Sequence, residues 1–217
     1  MDGSWLGIVG VLMPRRGSVA GQFSPMSGLG RFAFNNATGG TVTEVANYRG
    51  SGEMWRVHKF TSSGTLTILS SDGLFTAFVV GGGGYGGGSN PPGHGGGGGG
   101  GFGSESNVSL PLPSYAITVG GSGTASSVGS VVTASAGGGG AFGGYYGGPS
   151  NGLSSNIING VNSIYYGSGG PGGENNPYSV GGANTARGGV GQNGDPNNSH
   201  GPGPGASGIV VIAYRII

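Results

Sequence analysis

Residues 75–102 read FTAFVVGGGGYGGGSNPPGHGGGGGGGF, so an apolar run passes straight into nearly pure glycine. Glycine loses more conformational freedom on folding than any other residue, and it has no side chain to bury. Such a tract has three outcomes: a flexible linker, a phosphate-cradling loop, or a folded structure built from backbone alone. The phosphate reading fails on context. GGGGYG fits G-x-G-x-x-G only as any glycine run does, no helix or βαβ unit follows, and the chain contains no GK[ST]. The linker reading is opposed by what interrupts the glycine: Phe142, Tyr145–Tyr146, Tyr165–Tyr166, Tyr178 and apolar strands.

Spacing favours the third outcome. Gly81, Gly84 and Gly87 are three apart, and the register passes Asn90 to Gly93, Gly96 and Gly99. Gly137, Gly140 and Gly143 repeat it, as do Gly167, Gly170 and Gly173, and Gly188, Gly191 and Gly194. Polyproline II has three residues per turn, so glycine at every third place leaves one face bare and lets backbones pack together. Their N–H and C=O groups then bond laterally, at about 1 kcal/mol net each. The runs end in turn-formers: NPPG at Asn90, NNP at Asn175 and DPNN at Asp195. The unbroken repeat of collagen is absent. The expectation is a bundle of short, largely antiparallel segments clamped at both ends by β-structure.

Strand signals surround the glycine. Residues 7–13 (GIVGVLM), 31–35 (RFAFN), 54–61 (MWRVHKFT) and 65–69 (TLTIL) read as strands, with turns at SSG and SSDG. In 54–61, Trp55, Val57 and Lys59 share one face, and Met54, Arg56, His58 and Phe60 the other. Residues 74–80 (LFTAFVV) are continuously apolar, as in a strand covered on both faces. The spacing is that of a β-meander. Residues 115–119 (YAITV) and 209–214 (IVVIAY) add two strands, and the last is expected to return and pair with the early ones. The fold class expected is all-β, with essentially no α-helix: a small β-sandwich base carrying a glycine-rich insertion of packed polyproline II helices and loops, projecting from one end. The boundaries are 1–53 for an attachment and oligomer-docking segment, 54–80 for strands of the base, 81–206 for the glycine-rich region with strand 115–119 inside it, and 207–217 for the closing strand.

Composition excludes several functions. Of 217 residues 58 are Gly, only 7% are charged, and the net charge is +1. DNA binding needs clustered Lys and Arg, and a tail held open by charge needs a high net charge. No Cys is present, so there is no disulfide or thiolate chemistry. His58, His94 and His200 lack metal-ligand spacing, and the seven acids are scattered with no evident catalytic dyad. The expectation is no enzyme, no cofactor and no metal. No run approaches the roughly 20 apolar residues of a membrane span. At the start, Asp2 precedes the apolar run and Arg15–Arg16 follow it, the reverse of a signal peptide. The sequons at Asn36, Asn107 and Asn197 therefore read as chance.

HKFTSSGTLTI (58–68), FVVGGGGYGGG (78–88), GGGGGGGFG (95–103), YAITVGGSG (115–123) and SGIVVIAYR (207–215) follow one another in an order that resembles the glycine-rich domain of bacteriophage minor tail and tail-fibre proteins. The resemblance spans about three-quarters of the chain. It implies a structural virion protein at the tail tip or fibre, partnered by other tail subunits, commonly a homotrimer, and able to contact the host surface. It supplies no catalytic residue. A purely architectural tail or capsid component is the alternative, and a secreted glycine-rich or ice-binding protein a third. For a receptor such as a cell-surface glycan, the candidate residues are Tyr145, Tyr146, Tyr165, Tyr166 and Tyr178. They lie in or beside turns in a nearly uncharged region, and tyrosine offers contact area at low entropic cost. The same rings could instead cover the flanks of the bundle or fill subunit contacts.

Overall fold

The computed structural model describes residues 35–71, 73–88, 101, 103–111, 113–140, 153–170, 184–189 and 202–216, all within one compact unit, Ala33–Ile217. The two most apolar segments lie side by side at its centre. They are β5 (Leu74–Val80) and β12 (Ile209–Arg215), paired antiparallel with Ile209 opposite Val80 and Ala213 opposite Thr76. β12 also pairs with β3 (Trp55–Phe60), β3 with β2 (Thr41–Val45), and β5 with β6 (Gly103–Ser109), which completes a five-stranded antiparallel sheet in the order β2-β3-β12-β5-β6. The closing strand thus returns between the early strands, as expected.

This central sheet is covered on both faces, which is why β5 and β12 do not alternate polar with apolar. On one face Phe75, Ala77, Val79, Val210, Ile212 and Tyr214 join a core with Leu66, Ile68, Ile117 and Val128. On the other, Phe78, Val80, Ile209, Val211 and Ala213 meet Val57, Tyr48, Ile157, Tyr166 and Ala186. Full burial of each large apolar side chain stabilises the fold by about 1.5–3 kcal/mol.

A second five-stranded sheet faces the first core. Its order is β1 (Asn36–Thr38), β4 (Gly64–Ser70), β7 (Ser114–Thr118), β8 (Ser126–Val128) and β9 (Val132–Ala134), all antiparallel. The meander expectation fails here: β3 and β5 share the central sheet, but β4 between them crosses to the second. The reason is written in β4, where only Leu66 and Ile68 are buried and Thr65 and Leu69 are exposed. A strand with one apolar face belongs in an outer sheet, and β5 with two belongs in the middle.

Two further boundaries shift. Residues 103–134 sit inside the region assigned to glycine-rich packing, yet they supply β6 to β9, four strands of the two five-stranded sheets. β6 reads GSESNVS, with no apolar pattern to announce it, and its main-chain pairing to β5 holds it at the sheet edge. Within the segment 1–53, β1 and β2 belong to the two sheets, and Tyr48–Gly50 form a single 3-10 turn. The expected strand 7–13 and most of 31–35 lie outside the described residues. No α-helix occurs among the described residues.

The glycine segments grow from one end of the sandwich: after β5, β7, β9 and β11 (Ile164–Tyr166), and before β6 and β12. Residues 81–86 form the central rod. A Cβ on Gly81 or Gly84 would strike the chain at 134–138, on Gly82 the chain at 120–121, and on Gly83 the chain at 186–187, each within about 2 Å of a carbonyl oxygen. In a strand, Gly81 and Gly83 would face the same way. Here Gly81 and Gly84 do, which is the period of polyproline II. Hydrogen bonding is lateral: Gly82, Gly83 and Gly86 N–H donate to the carbonyls of Thr124, Ala206 and Gly203, and Gly137, Gly123, Gly189 and Gly140 donate to those of Gly82, Gly83, Gly84 and Tyr85. The three-residue register marks one bare face, but the first turn of the rod is enclosed on every side, so Gly82 and Gly83 are as constrained as Gly81 and Gly84. Farther out, Gly170 meets Gly189, while Gly138 faces open space.

Candidate functional site

Of the five candidate tyrosines, Tyr145, Tyr146 and Tyr178 lie outside the described residues. The other two are neighbours in β11, which pairs with β10 (Leu153–Ser155) in a small hairpin over the outer face of the central sheet. Adjacent residues in a strand point to opposite faces, and that separates this pair. Tyr166 is 4% exposed and packs on Phe78 with ring centroids 5.2 Å apart. Burial raises its phenol pKa. It is a core residue and cannot reach a ligand. Tyr165 is 53% exposed, beside exposed Val161 and Ile164.

A polar and aromatic clamp holds this hairpin. Tyr48 stacks on Trp55 at 4.8 Å, and its hydroxyl donates to the Ile157 carbonyl at 2.8 Å. Burial pushes the Tyr48 phenol up to about 12, the Arg49 charge opposing and Glu105 adding to the shift, so the hydroxyl remains a donor. Arg49 pairs with Glu105 at 2.7 Å, and Glu105 accepts from Ser155 Oγ, which in turn accepts from the Ile157 N–H. Gly160 (φ +71) closes against this turn: a Cβ there would meet Arg49 N and the Tyr48 ring at 2.9 Å. Non-glycine Asn47 and Arg49 also adopt positive φ (51 and 53), a local strain that the clamp sustains.

The bundle carries an aromatic that sequence reasoning passed over. Tyr85 lies within the central rod, between buried Gly84 and Gly86, and is 54% exposed, with its ring against the position a Gly123 Cβ would take, 3.6 Å away. The signal was present in GGGGYGGG. Where every enclosed position must be bare, a lone large side chain marks the place where the rod reaches its surface.

His58 looked like a sheet-face residue and is fully buried. Its Nδ1 lies 2.7 Å from the Gly39 carbonyl and its Nε2 3.1 Å from the Tyr214 hydroxyl. A carbonyl only accepts, so Nδ1 carries the proton. Nε2 therefore accepts from Tyr214, whose oxygen takes the Ala37 N–H at 2.9 Å. Burial lowers the His58 pKa, the bond to Gly39 opposing and Arg56 assisting. This is a structural network joining β1, β3 and β12. His94 and His200 lie outside the described residues.

Two further ion pairs lie among the described residues. Glu44 meets Arg56 at 2.6 Å and Glu53 meets Arg215 at 2.7 Å. Among the described residues no group of three or more His, Asp or Glu is placed to hold a metal, and no helix is long and apolar enough to cross a membrane. The sequon asparagines Asn36 and Asn107 accept hydrogen bonds from Arg56 and Thr76; Asn197 lies outside the described residues. What this surface offers is a backbone scaffold with exposed aromatic rings, Tyr85 and Tyr165, at its periphery. No protein-family model matches the chain, and no curated protein matches it.

Proposed function

We propose that this chain is a structural component of a bacteriophage tail, at the tip or fibre, whose glycine bundle faces outward and contacts the host surface. One observation carries the reading. The described glycine segments pack backbone against backbone next to β5 and β12, and the landmarks that bound them run in the order of phage glycine-rich tail domains. A scaffold with bare, close-packed rods fixes its connecting loops without needing a large core, which suits a display role. The apolar patches at 5–13 and 32–34 are assigned to docking on other tail subunits, and the assembled unit is a homotrimer.

Two experiments test this. Imaging of virions carrying a label on this protein should place it at the distal tip; a label on the capsid or along the shaft would sink the adhesion reading. The mass of the full chain at micromolar concentration should be that of a trimer, and a clean monomer would count against the assembly. A purely architectural role without receptor contact is the second reading, favoured by the burial of Tyr166. Tyr145→Ala with Tyr146→Ala, and Tyr165→Ala alone, separate the two. Adhesion requires normal folding with weakened attachment to host cells.

A further inference from the structure

The chain crosses from the second sheet to the central one at the corner between β1 and β2, where Gly39 (φ +120) and Gly40 (φ +66) take a backbone that other residues disfavour. β1 itself is an edge strand of three residues, paired with β4 alone, and its register breaks between Asn36 and Ala37. So short a ladder holds little by itself. The remaining fastening comes from two side chains beneath it. The Tyr214 hydroxyl accepts the Ala37 N–H at 2.9 Å, and His58 Nδ1–H donates to the Gly39 carbonyl at 2.7 Å. His58 and Tyr214 are themselves joined, Nε2 to hydroxyl, at 3.1 Å.

This arrangement works only with a neutral imidazole. A proton on Nε2 turns it into a donor aimed at the Tyr214 oxygen, which already receives the Ala37 N–H. The phenol proton must then find another acceptor, and the Ala37 carbonyl stands 3.5 Å away, at the limit of a hydrogen bond. Tyr214 is not free to close that gap, since its ring is wedged between Phe75, edge-on at 5.1 Å, and His58, stacked at 5.5 Å. The neighbouring charges do not compensate a buried cation. Register places Arg56 beside Tyr214 on the same face, and its charge opposes protonation. Glu44 on β2 is spent on Arg56. Lys59 and Arg215 stand on the opposite face of the central sheet, and β1, β4 and β5 carry no ionisable side chain. Burial holds the His58 pKa below its ordinary 6.5. Water is close by: Val42, opposite His58 in the β2–β3 register, is 47% exposed, so displacing the corner hydrates the ring.

We propose that His58 and Tyr214 form an acid-released latch on β1: protonation of His58 frees β1 and its corner from β4 while the rest of the sandwich stays folded. The open form lets the imidazole regain water and its ordinary proton affinity, so each proton bound favours opening. Closure is complete above about pH 6.5 and weakens as pH falls below it. Release of β1 uncovers the pairing edge of β4, an unprotected strand edge able to accept another strand. The latch does not depend on the phage-tail reading and fails or stands apart from it.

The test is native-state amide hydrogen exchange of the full-length protein between about pH 7 and pH 5, each rate corrected for the intrinsic effect of pH. The Ala37 amide reports the latch, and Val210 and Ile212 in β12 report global unfolding. Ala37 protection should fall by up to about tenfold per pH unit below about pH 6.5, the slope of one linked proton. At pH 5 it should lie at least about tenfold below that of Val210 and Ile212, because β1 opens without the core. His58→Gln should hold Ala37 protection level across the same range, and protected Val210 and Ile212 verify that the variant is folded. The wild-type protein alone can overturn the proposal. Ala37 protection equal to that of Val210 and Ile212 at every pH would mean that only global unfolding releases β1. Ala37 protection that does not change with pH would remove the proton from the device. A slope that persists in His58→Gln would assign it to another group.

Discussion

A buried imidazole and a buried Cα hydrogen are the two residue-scale devices of this protein. His58 is held neutral, with its folded pKa below the ordinary 6.5 because burial disfavours the charged ring. As pH falls through about 6.5, the unfolded chain takes up a proton that the folded chain refuses, so stability declines. Above that pH the group contributes no pH dependence. Denaturant unfolding between about pH 7 and pH 5 should therefore lose up to about 1.4 kcal/mol per pH unit from this group. His58→Gln keeps a donor and an acceptor but does not titrate, so it should flatten that slope; an unchanged slope in the variant would assign the acid sensitivity elsewhere. The glycines make an opposite pair of predictions. Gly82→Ala places a Cβ 1.8 Å from the Gly121 oxygen, whereas Gly138→Ala meets nothing within 4 Å. The first should cost about 3 kcal/mol or more, beyond ordinary overpacking because backbone rather than side chain must move. The second should be neutral or slightly stabilising, since it lowers the entropy of the unfolded chain. Equal midpoints for the two variants would show that the contacts are not structural.

Among the elements, the hairpin of β10 and β11 separates packing from display. Tyr166→Ala should cost about 3–5 kcal/mol by opening a cavity beside Phe78, while Tyr165→Ala should change stability by less than about 0.5 kcal/mol. Thermal unfolding of both variants decides it, and a large loss at Tyr165 would make that ring a packing residue as well. The sequence made some of these elements legible and hid others for physical reasons. β5 and β12 were readable because burial on two faces demands unbroken apolar runs. The partition of strands between sheets was not read. Yet Leu66 and Ile68 alternate with exposed Thr65 and Leu69, and that difference from β5 was enough to send β4 elsewhere. β6 could not be found from its side chains, because GSESNVS is held by main-chain pairing to β5. The short strands β8 and β9 share that difficulty, with three residues each. The tyrosine pair of β11 was visible as a pair, but only the pairing register could say which ring points inward.

For the whole molecule, the described glycine segments and the sandwich form one structure rather than a domain with a tail. Asn184, at φ +62, donates from its side chain to the carbonyls of Thr61 and Gly208, which locks a bundle segment to both the β3–β4 turn and the root of β12. The glycine rods replace side-chain burial with lateral N–H···O bonds, each contributing about 1 kcal/mol against an ordering cost of about 1–2 kcal/mol per residue. Being anchored at several strand ends is what makes that balance favourable. Amide hydrogen exchange of the full-length protein tests this most directly. The Gly82, Gly83, Gly86, Gly137 and Gly189 amides, each bonded to a neighbouring rod, should be protected to a degree approaching that of Val210 and Ile212 in β12 and should exchange through the same cooperative opening. Exchange of those glycine amides at the rate of an unstructured chain, while β12 stays protected, would contradict the account and return the tract to a linker.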